Sequence, residues 1–168
     1  MIEKPQAQAS IFLRRDTLLF FPQVLISGWR ESNGWHGLAI LDEEVRTRTL
    51  PFDADDADIG TALRRTLLST RIRIPNGRVD WGTEGFRRNI AIGYGLQSNR
   101  NALSGLKRCE VRMRLGTLRL ESRARQFGGG FAAFQPGFDE GHEDIVMRFK
   151  APDAELGAAV REALRRSL

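Results

Sequence analysis

Catalysis needs convergent side chains, and this chain of 168 residues holds few of the types that supply it. It has two histidines, His36 and His142, and a single cysteine, Cys109. His142 stands in Gly141-His142-Glu143-Asp144, where an imidazole and two carboxylates could share a metal ion, while His36 adjoins Trp35 in a stretch patterned as a strand. Metal sites carry a recognisable ligand spacing on one element, such as two histidines four apart on a helix, and that spacing is missing. No metal ligand is expected, and 141–144 reads as a solvated loop. Cys109, with no histidine near it in sequence, reads as a small buried hydrophobe at the start of a strand. It cannot form an internal disulfide and fits a reducing compartment.

Gly93-Tyr94-Gly95 opens like a dinucleotide-binding fingerprint, but Ser98 stands where the third glycine belongs and no helical pattern begins there. Gly128-Gly129-Gly130 lacks the lysine and hydroxyl residue of a phosphate-binding loop. Both read as turns. Asp53, Asp55, Asp56 and Asp58 could supply an acid–base pair, yet they precede an apolar helical stripe, where free amides and the positive end of the dipole attract carboxylates. No nucleophile, base and orienting group can be assembled. The chain is therefore expected to have no catalytic residues, to need no cofactor and not to be an enzyme.

A binding surface is easier to support. Arg112, Arg114, Arg119, Arg123 and Arg125 fall on the expected solvent face of a hairpin over 108–125, with Phe127, Phe131, Phe134 and Phe138 downstream. Arginines on a sheet with aromatics nearby can follow a phosphate backbone while bases stack, which describes a single-stranded nucleic-acid-binding module. The competing reading is a solubilising face over a phenylalanine core. Acidic clusters at 42–44, 53–58 and 139–144 suit a basic protein partner instead. The net charge of +5 decides little, because the arginines are spread along the chain.

The elements that must carry these residues are patterned as α+β. Asp56-Ala57-Asp58-Ile59-Gly60-Thr61-Ala62-Leu63-Arg64-Arg65-Thr66-Leu67 recurs as Asp153-Ala154-Glu155-Leu156-Gly157-Ala158-Ala159-Val160-Arg161-Glu162-Ala163-Leu164, with Phe52 and Phe149 in the same register. Each copy is a helix with acidic caps and an apolar stripe, expected over 56–70 and 153–166. Strands are expected over 11–15, 17–26, 35–41 and 45–52 before the first helix. Pro75-Asn76-Gly77 marks a connecting segment over 71–88 with room for a strand, followed by a strand over 89–95 and a polar stretch over 96–105 that reads as a loop or a brief helix. Period-two alternation then gives a hairpin across 108–125, with Gly116-Thr117 as a type II′ turn, and a last strand over 143–150. The expectation is one domain, 1–168, with an internal pseudo-repeat of about 10–70 and 89–168: two related halves, each several antiparallel strands followed by one helix.

Size and composition agree with a single folded core, and no run approaches the roughly 18 apolar residues that span a bilayer. Residues 1–10 lack the basic head and apolar core of a secretory signal, so a cytoplasmic protein without membrane contact is expected.

The second half carries a family resemblance. Gly93-Tyr94-Gly95-Leu96-Gln97-Ser98-Asn99-Arg100-Asn101-Ala102-Leu103, then Leu106-Lys107-Arg108-Cys109, resembles the glycine-tyrosine, polar, arginine-alanine-leucine, basic run of the immunity proteins of contact-dependent growth inhibition (CDI) systems, the CdiI family. The strands over 110–120, Glu143-Asp144-Ile145-Val146 and the terminal helix continue the match, and 59–69 matches more weakly. The resemblance implies a cytoplasmic protein that binds and neutralises the C-terminal toxin domain, often a nuclease, of a CdiA-type exoprotein. It also implies stoichiometric action without catalysis, and nucleic acid is then not the expected partner. Immunity proteins against basic nucleases are commonly acidic, whereas this chain is basic, so its local acidic patches become the interface candidates. Expected contacts are Asp53, Asp55, Asp56, Asp139 and Glu140, with Trp29 and Trp35 as anchors. In architecture the expected fold is also similar to the Whirly single-stranded DNA-binding proteins.

Overall fold

The computed structural model describes residues 7–26, 37–38, 47–73, 83–98, 100–125, 131–133 and 143–167. The chain folds as α+β. Its main sheet is built on two long hairpins, β1 (Ala7–Arg14) with β2 (Thr17–Pro22), and β7 (Leu106–Arg114) with β8 (Thr117–Arg125). Between these hairpins in the chain come β3 (Val24–Ile26), β4 (Gly37–Leu38), β5 (Arg48–Pro51), helix α1 (Asp56–Leu68), β6 (Arg71–Arg73) and helix α2 (Thr83–Gly93). After them come β9 (Phe131–Ala133), β10 (Ile145–Arg148) and helix α3 (Asp153–Arg166). The sheet order is β10-β8-β7-β1-β2-β5, with β9 also paired to β8, and every pairing in it is antiparallel. A small second sheet joins β4, β3 and β6. Pro22 has no amide hydrogen to continue the ladder, and the chain leaves the large sheet there; the Gln23 amide still donates to the Gln8 carbonyl at 2.9 Å.

Alternation along the strands divides the core. Ala7, Ala9 and Ile11 of β1, Leu18 and Phe20 of β2, Cys109 and Val111 of β7, and Leu118 and Leu120 of β8 point to one face. There they meet Ile59, Leu63 and Leu67 of α1 and Leu156, Val160 and Leu164 of α3. Each buried leucine, isoleucine, valine or phenylalanine among them contributes about 1.5–3 kcal/mol relative to exposure. On the opposite face Phe12, Leu19, Phe21 and Leu106 pack against Ile90, Ala91 and Leu103.

The repeated sequence forms the two helices that pack on each other, and glycine sets how close they come. A Cβ built on Gly157 would lie 2.6 Å from the Asp56 carbonyl carbon and 2.8 Å from its Cα, and one built on Gly60 would meet the same atoms of Asp153 at the same distances. Arg161 of α3 donates from Nε to Asp56 Oδ1 at 2.6 Å and from its Nη atoms to the carbonyls of Phe52 and Ala54, with its guanidinium 5.1 Å from the Phe52 ring centre. Arg64 of α1 does the same to Asp153, Phe149 and Ala151, with the Phe149 ring centre at 4.8 Å. Each arginine thus ties the start of the opposite helix to the strand end that feeds it.

This geometry corrects the expected capping. Asp55 flanks α1 and Pro152 flanks α3, and neither makes a side-chain cap. Asp56 and Asp153 are first-turn residues, favoured there by the dipole and engaged by arginine. Two further expectations change. Residues 89–95 belong largely to α2 rather than to a strand, and α2 also fills the end of the expected connection. An apolar run this short does not separate strand from helix, and Ile90, Ala91 and Tyr94 lie on one helical face. The β7–β8 turn is Leu115-Gly116, with φ of 46° and 74°, so it has the two positive angles of type I′. Thr117 is already in the ladder, opposite Arg148. Pro75-Asn76-Gly77 lies outside the described residues.

Candidate protein-binding surface

The face of the main sheet turned away from α1 and α3 has two different ends. Over β1 and β2 it is roofed by α2. Gly95, at φ +64°, ends this helix: the Leu96 amide reaches back to the Ala91 carbonyl at 2.7 Å and the Gly95 amide to Ile92 at 3.0 Å. Gly93-Tyr94-Gly95 is thus a helix exit, and the Tyr94 hydroxyl donates to the Thr17 carbonyl at 3.2 Å. Burial raises the Tyr94 phenol well above its ordinary range.

Over β7, β8 and β10 the same face is polar. Glu110 and Glu121 sit directly opposite each other in the ladder, a pairing of like charges that would be destabilising alone. Arginines fill the lattice around them. Arg112 donates from Nε and Nη2 to Glu110 Oε1 at 3.0 and 2.8 Å, and its Nη1 lies 3.1 Å from Glu121 Oε1. Arg123 Nη2 bridges Glu110 Oε2 and Glu121 Oε2, both at 2.8 Å. Arg108 Nη2 reaches Glu110 Oε2 at 3.3 Å and Ser10 Oγ at 3.0 Å, and Gln8 Nε2 donates to Glu110 Oε1. Burial alone would raise the Glu110 carboxyl, but Arg108, Arg123 and Arg112 together hold it below the ordinary carboxylate value. Glu121 has less help: burial raises it, and Arg112 and Arg123 only partly offset that and the repulsion of Glu110.

Exposure rises across this lattice toward the β7–β8 turn. The Arg123 side chain is 11% exposed, Arg112 45% and Arg119 60%. Arg119 stands opposite Val146 of β10 and pairs with Asp144 at 3.4 Å. Arg114 and Arg148 are exposed beyond it. Among these arginines lie two exposed apolar residues, Val146 and, at the turn, Leu115.

The expected site residues divide accordingly. Arg112, Arg114 and Arg119 reach solvent, whereas Arg123 is largely withdrawn from it as a bridge between glutamates, which corrects its expected place on the solvent face. Asp53 and Asp55 are exposed beside α1, and Asp56 is held by Arg161. Trp29, Trp35, His36, Asp139, Glu140 and His142 lie outside the described residues, as do Phe127, Phe134, Phe138 and the side chain of Arg125. Glu110, Leu115, Val146 and Arg148 were not among the expected residues. The signal for Glu110 was a carboxylate in the polar phase of an arginine strand, directly across from Glu121.

The described residues offer little for catalysis. No three His, Cys, Asp or Glu side chains among them could hold a metal ion. Cys109 is fully buried, and burial raises its thiol far above the ordinary range. A groove of about 390 Å³ between β5 and α1 is lined by Arg48, Leu50, Asp58, Thr61, Ala62 and Arg65, with the Thr61 hydroxyl donating to Asp153 Oδ2 at 2.9 Å. No helix among the described residues is long and apolar enough to cross a membrane.

A family model described as "CdiI: CDI immunity protein" matches residues 31–167. No curated protein matches the chain. Among solved structures, a protein of unknown function from Neisseria meningitidis is similar at a TM-score of 0.71 and 16% identity, covering 100% of this chain and 99% of the other. A chain of the CdiA-CT/CdiI toxin and immunity complex from Yersinia pseudotuberculosis is similar at a TM-score of 0.72 and 17% identity, with 100% of both chains covered.

Proposed function

Because this chain belongs to the CDI immunity protein family, we propose that it binds and neutralises the C-terminal toxin domain of a CdiA-type exoprotein, and that this toxin is a nuclease. The observation that carries the reading is the family match over residues 31–167, together with a fold shared end to end with a chain from a toxin and immunity complex. The chain acts in the cytoplasm, by occupancy and not by turnover. The exposed carboxylates Asp53 and Asp55 supply contacts to basic toxin surface, with Asp139, Glu140, Trp29 and Trp35 as further contacts; Asp56 contributes by holding the α1 start through Arg161. We also read the chain as one domain built on a repeat of about 10–70 and 89–168, which the matched contacts of Arg64 and Arg161 support.

The test is co-expression. Cells producing the C-terminal domain of the exoprotein encoded beside this chain should survive when the chain is present and die when it is not. Killing that proceeds unchanged refutes the immunity reading. Survival with intact cellular RNA and DNA in the rescued cells, against degraded nucleic acid in unprotected ones, supports a nuclease target, and intact nucleic acid in dying cells refutes it.

A further inference from the structure

Leu115 is out of place for folding reasons alone. It occupies a turn position at φ 46°, where asparagine, aspartate or glycine is the usual residue and a leucine is strained, and its side chain is 78% exposed. A sequence selected only for a stable hairpin would not keep a large apolar group there, and a strained, exposed residue of this kind points to a role outside the fold. Val146, 58% exposed, stands on the face of β10 opposite Arg119. Around these two apolar groups lie Arg112, Arg114, Arg119 and Arg148. No helix among the described residues covers this end of the sheet, in contrast to the α2 end.

We propose that this end of the sheet is a docking surface for an acidic, partly apolar protein surface, and, resting on the immunity reading above, that this surface is a region of the toxin separate from the basic region that Asp53 and Asp55 meet at the β5 end. Leu115 and Val146 are the apolar anchors and the arginines the surrounding rim. The chemistry favours protein over nucleic acid. The exposed large hydrophobic residues among the described side chains are aliphatic, so those side chains offer bases no exposed ring to stack on, while arginines beside desolvated aliphatic anchors are the composition of protein interfaces. Arg112 is also pre-ordered: Glu110 and Glu121 hold its guanidinium from below, so little freedom is lost when a partner carboxylate arrives. Six arginines, Arg108, Arg112, Arg114, Arg119, Arg123 and Arg148, share this face with the carboxylates of Glu110, Glu121 and Asp144, which leaves it net positive and fitted to an anionic partner.

Two full-length variants test this. Leu115→Asn gives the turn a residue suited to its backbone, so it should unfold at the same or a higher temperature, yet bind the purified toxin domain about tenfold more weakly. Arg119→Glu combined with Arg148→Glu changes exposed residues and should weaken binding by about 10- to 100-fold, with the loss shrinking as salt is raised. If the unaltered chain binds the toxin and both variants bind equally well, the surface is refuted and the immunity reading stands. If the unaltered chain does not bind the toxin, both fall together. If the unaltered chain instead captures a single-stranded RNA oligonucleotide and the double variant does not, the face belongs to nucleic acid and the acidic-protein assignment is overturned.

Discussion

Replacing Gly157 by alanine should destabilise this protein, against the ordinary trend for helices. In an unobstructed helix interior the change favours folding by roughly 0.5–1 kcal/mol, because alanine has less backbone freedom to lose. Here the added Cβ would stand 2.6 Å from the Asp56 carbonyl carbon and 2.8 Å from its Cα, with the carbonyl oxygen closer still, and real Cβ contacts essentially never fall under 3.0 Å. The obstacle is backbone and cannot swing aside, so α1 and α3 must separate. Overpacking of this kind costs about 1–3 kcal/mol. Separation also stretches the Arg161 bonds to Asp56, Phe52 and Ala54, and hydrogen bonds to charged groups are each worth about 1.5–3 kcal/mol. After subtracting the propensity gain, the net loss is about 2–4 kcal/mol. For a chain of this size each kcal/mol moves Tm by about 2–4 °C, so Tm should fall by roughly 4–16 °C. Thermal unfolding followed by circular dichroism reads this directly. Gly60→Ala should behave alike, and the double variant should lose less than the sum, since one separation relieves both contacts. A Gly157→Ala protein that melts at or above the temperature of the unaltered chain would refute the close-crossing argument.

The buried carboxylates predict opposite pH responses. Glu110 is held below its ordinary value, so its contribution is complete above that value and is lost as pH falls through the lower folded one; Glu110→Gln should therefore flatten the acid side of a stability–pH curve measured by urea unfolding, besides lowering stability at neutral pH. Glu121 is raised, so its ionisation costs stability as pH climbs from the ordinary carboxylate value through the raised one, and Glu121→Gln should remove that decline. Cys109, fully buried with its thiol shifted upward, should react with an aromatic disulfide reagent at pH 8 only as fast as the chain opens, and at a free-thiol rate in denaturant.

How far the sequence revealed this depends on where information resides. The two helices of the repeat could be read nearly to the residue, because apolar stripe, acidic first turn and arginines all agree over 56–68 and 153–166. The β7–β8 hairpin was legible from its alternation. The α2 helix was not, because its apolar stretch is short and its ending signal, Gly95 with Leu96 folding back, looks like the start of a glycine motif. The role of Asp56 and Asp153 was hidden for a different reason: capping is local, whereas their arginine partners lie on the far helix. The candidate surface was half visible. Arginine alternation marked the strand pair, but only the register, with Glu110 facing Glu121, separates the bridging Arg123 from the reachable Arg112 and Arg119.

The middle seam of the main sheet joins β1 to β7, with Ser10 opposite Glu110. A ribosome making about 5–20 residues per second needs roughly 5–20 s to deliver the second of these strands after the first. Throughout that interval Phe12, Ile11 and Ala9 of β1 have one hairpin neighbour and no second edge. The core can close only after α3 has been made, since α3 supplies Leu156, Val160 and Leu164 to it. A nascent chain that stops short of β7 and β8 therefore holds the β1–β2 hairpin without the middle of its sheet. The wait between the two strands is thus a property of chain topology that surface substitutions cannot shorten.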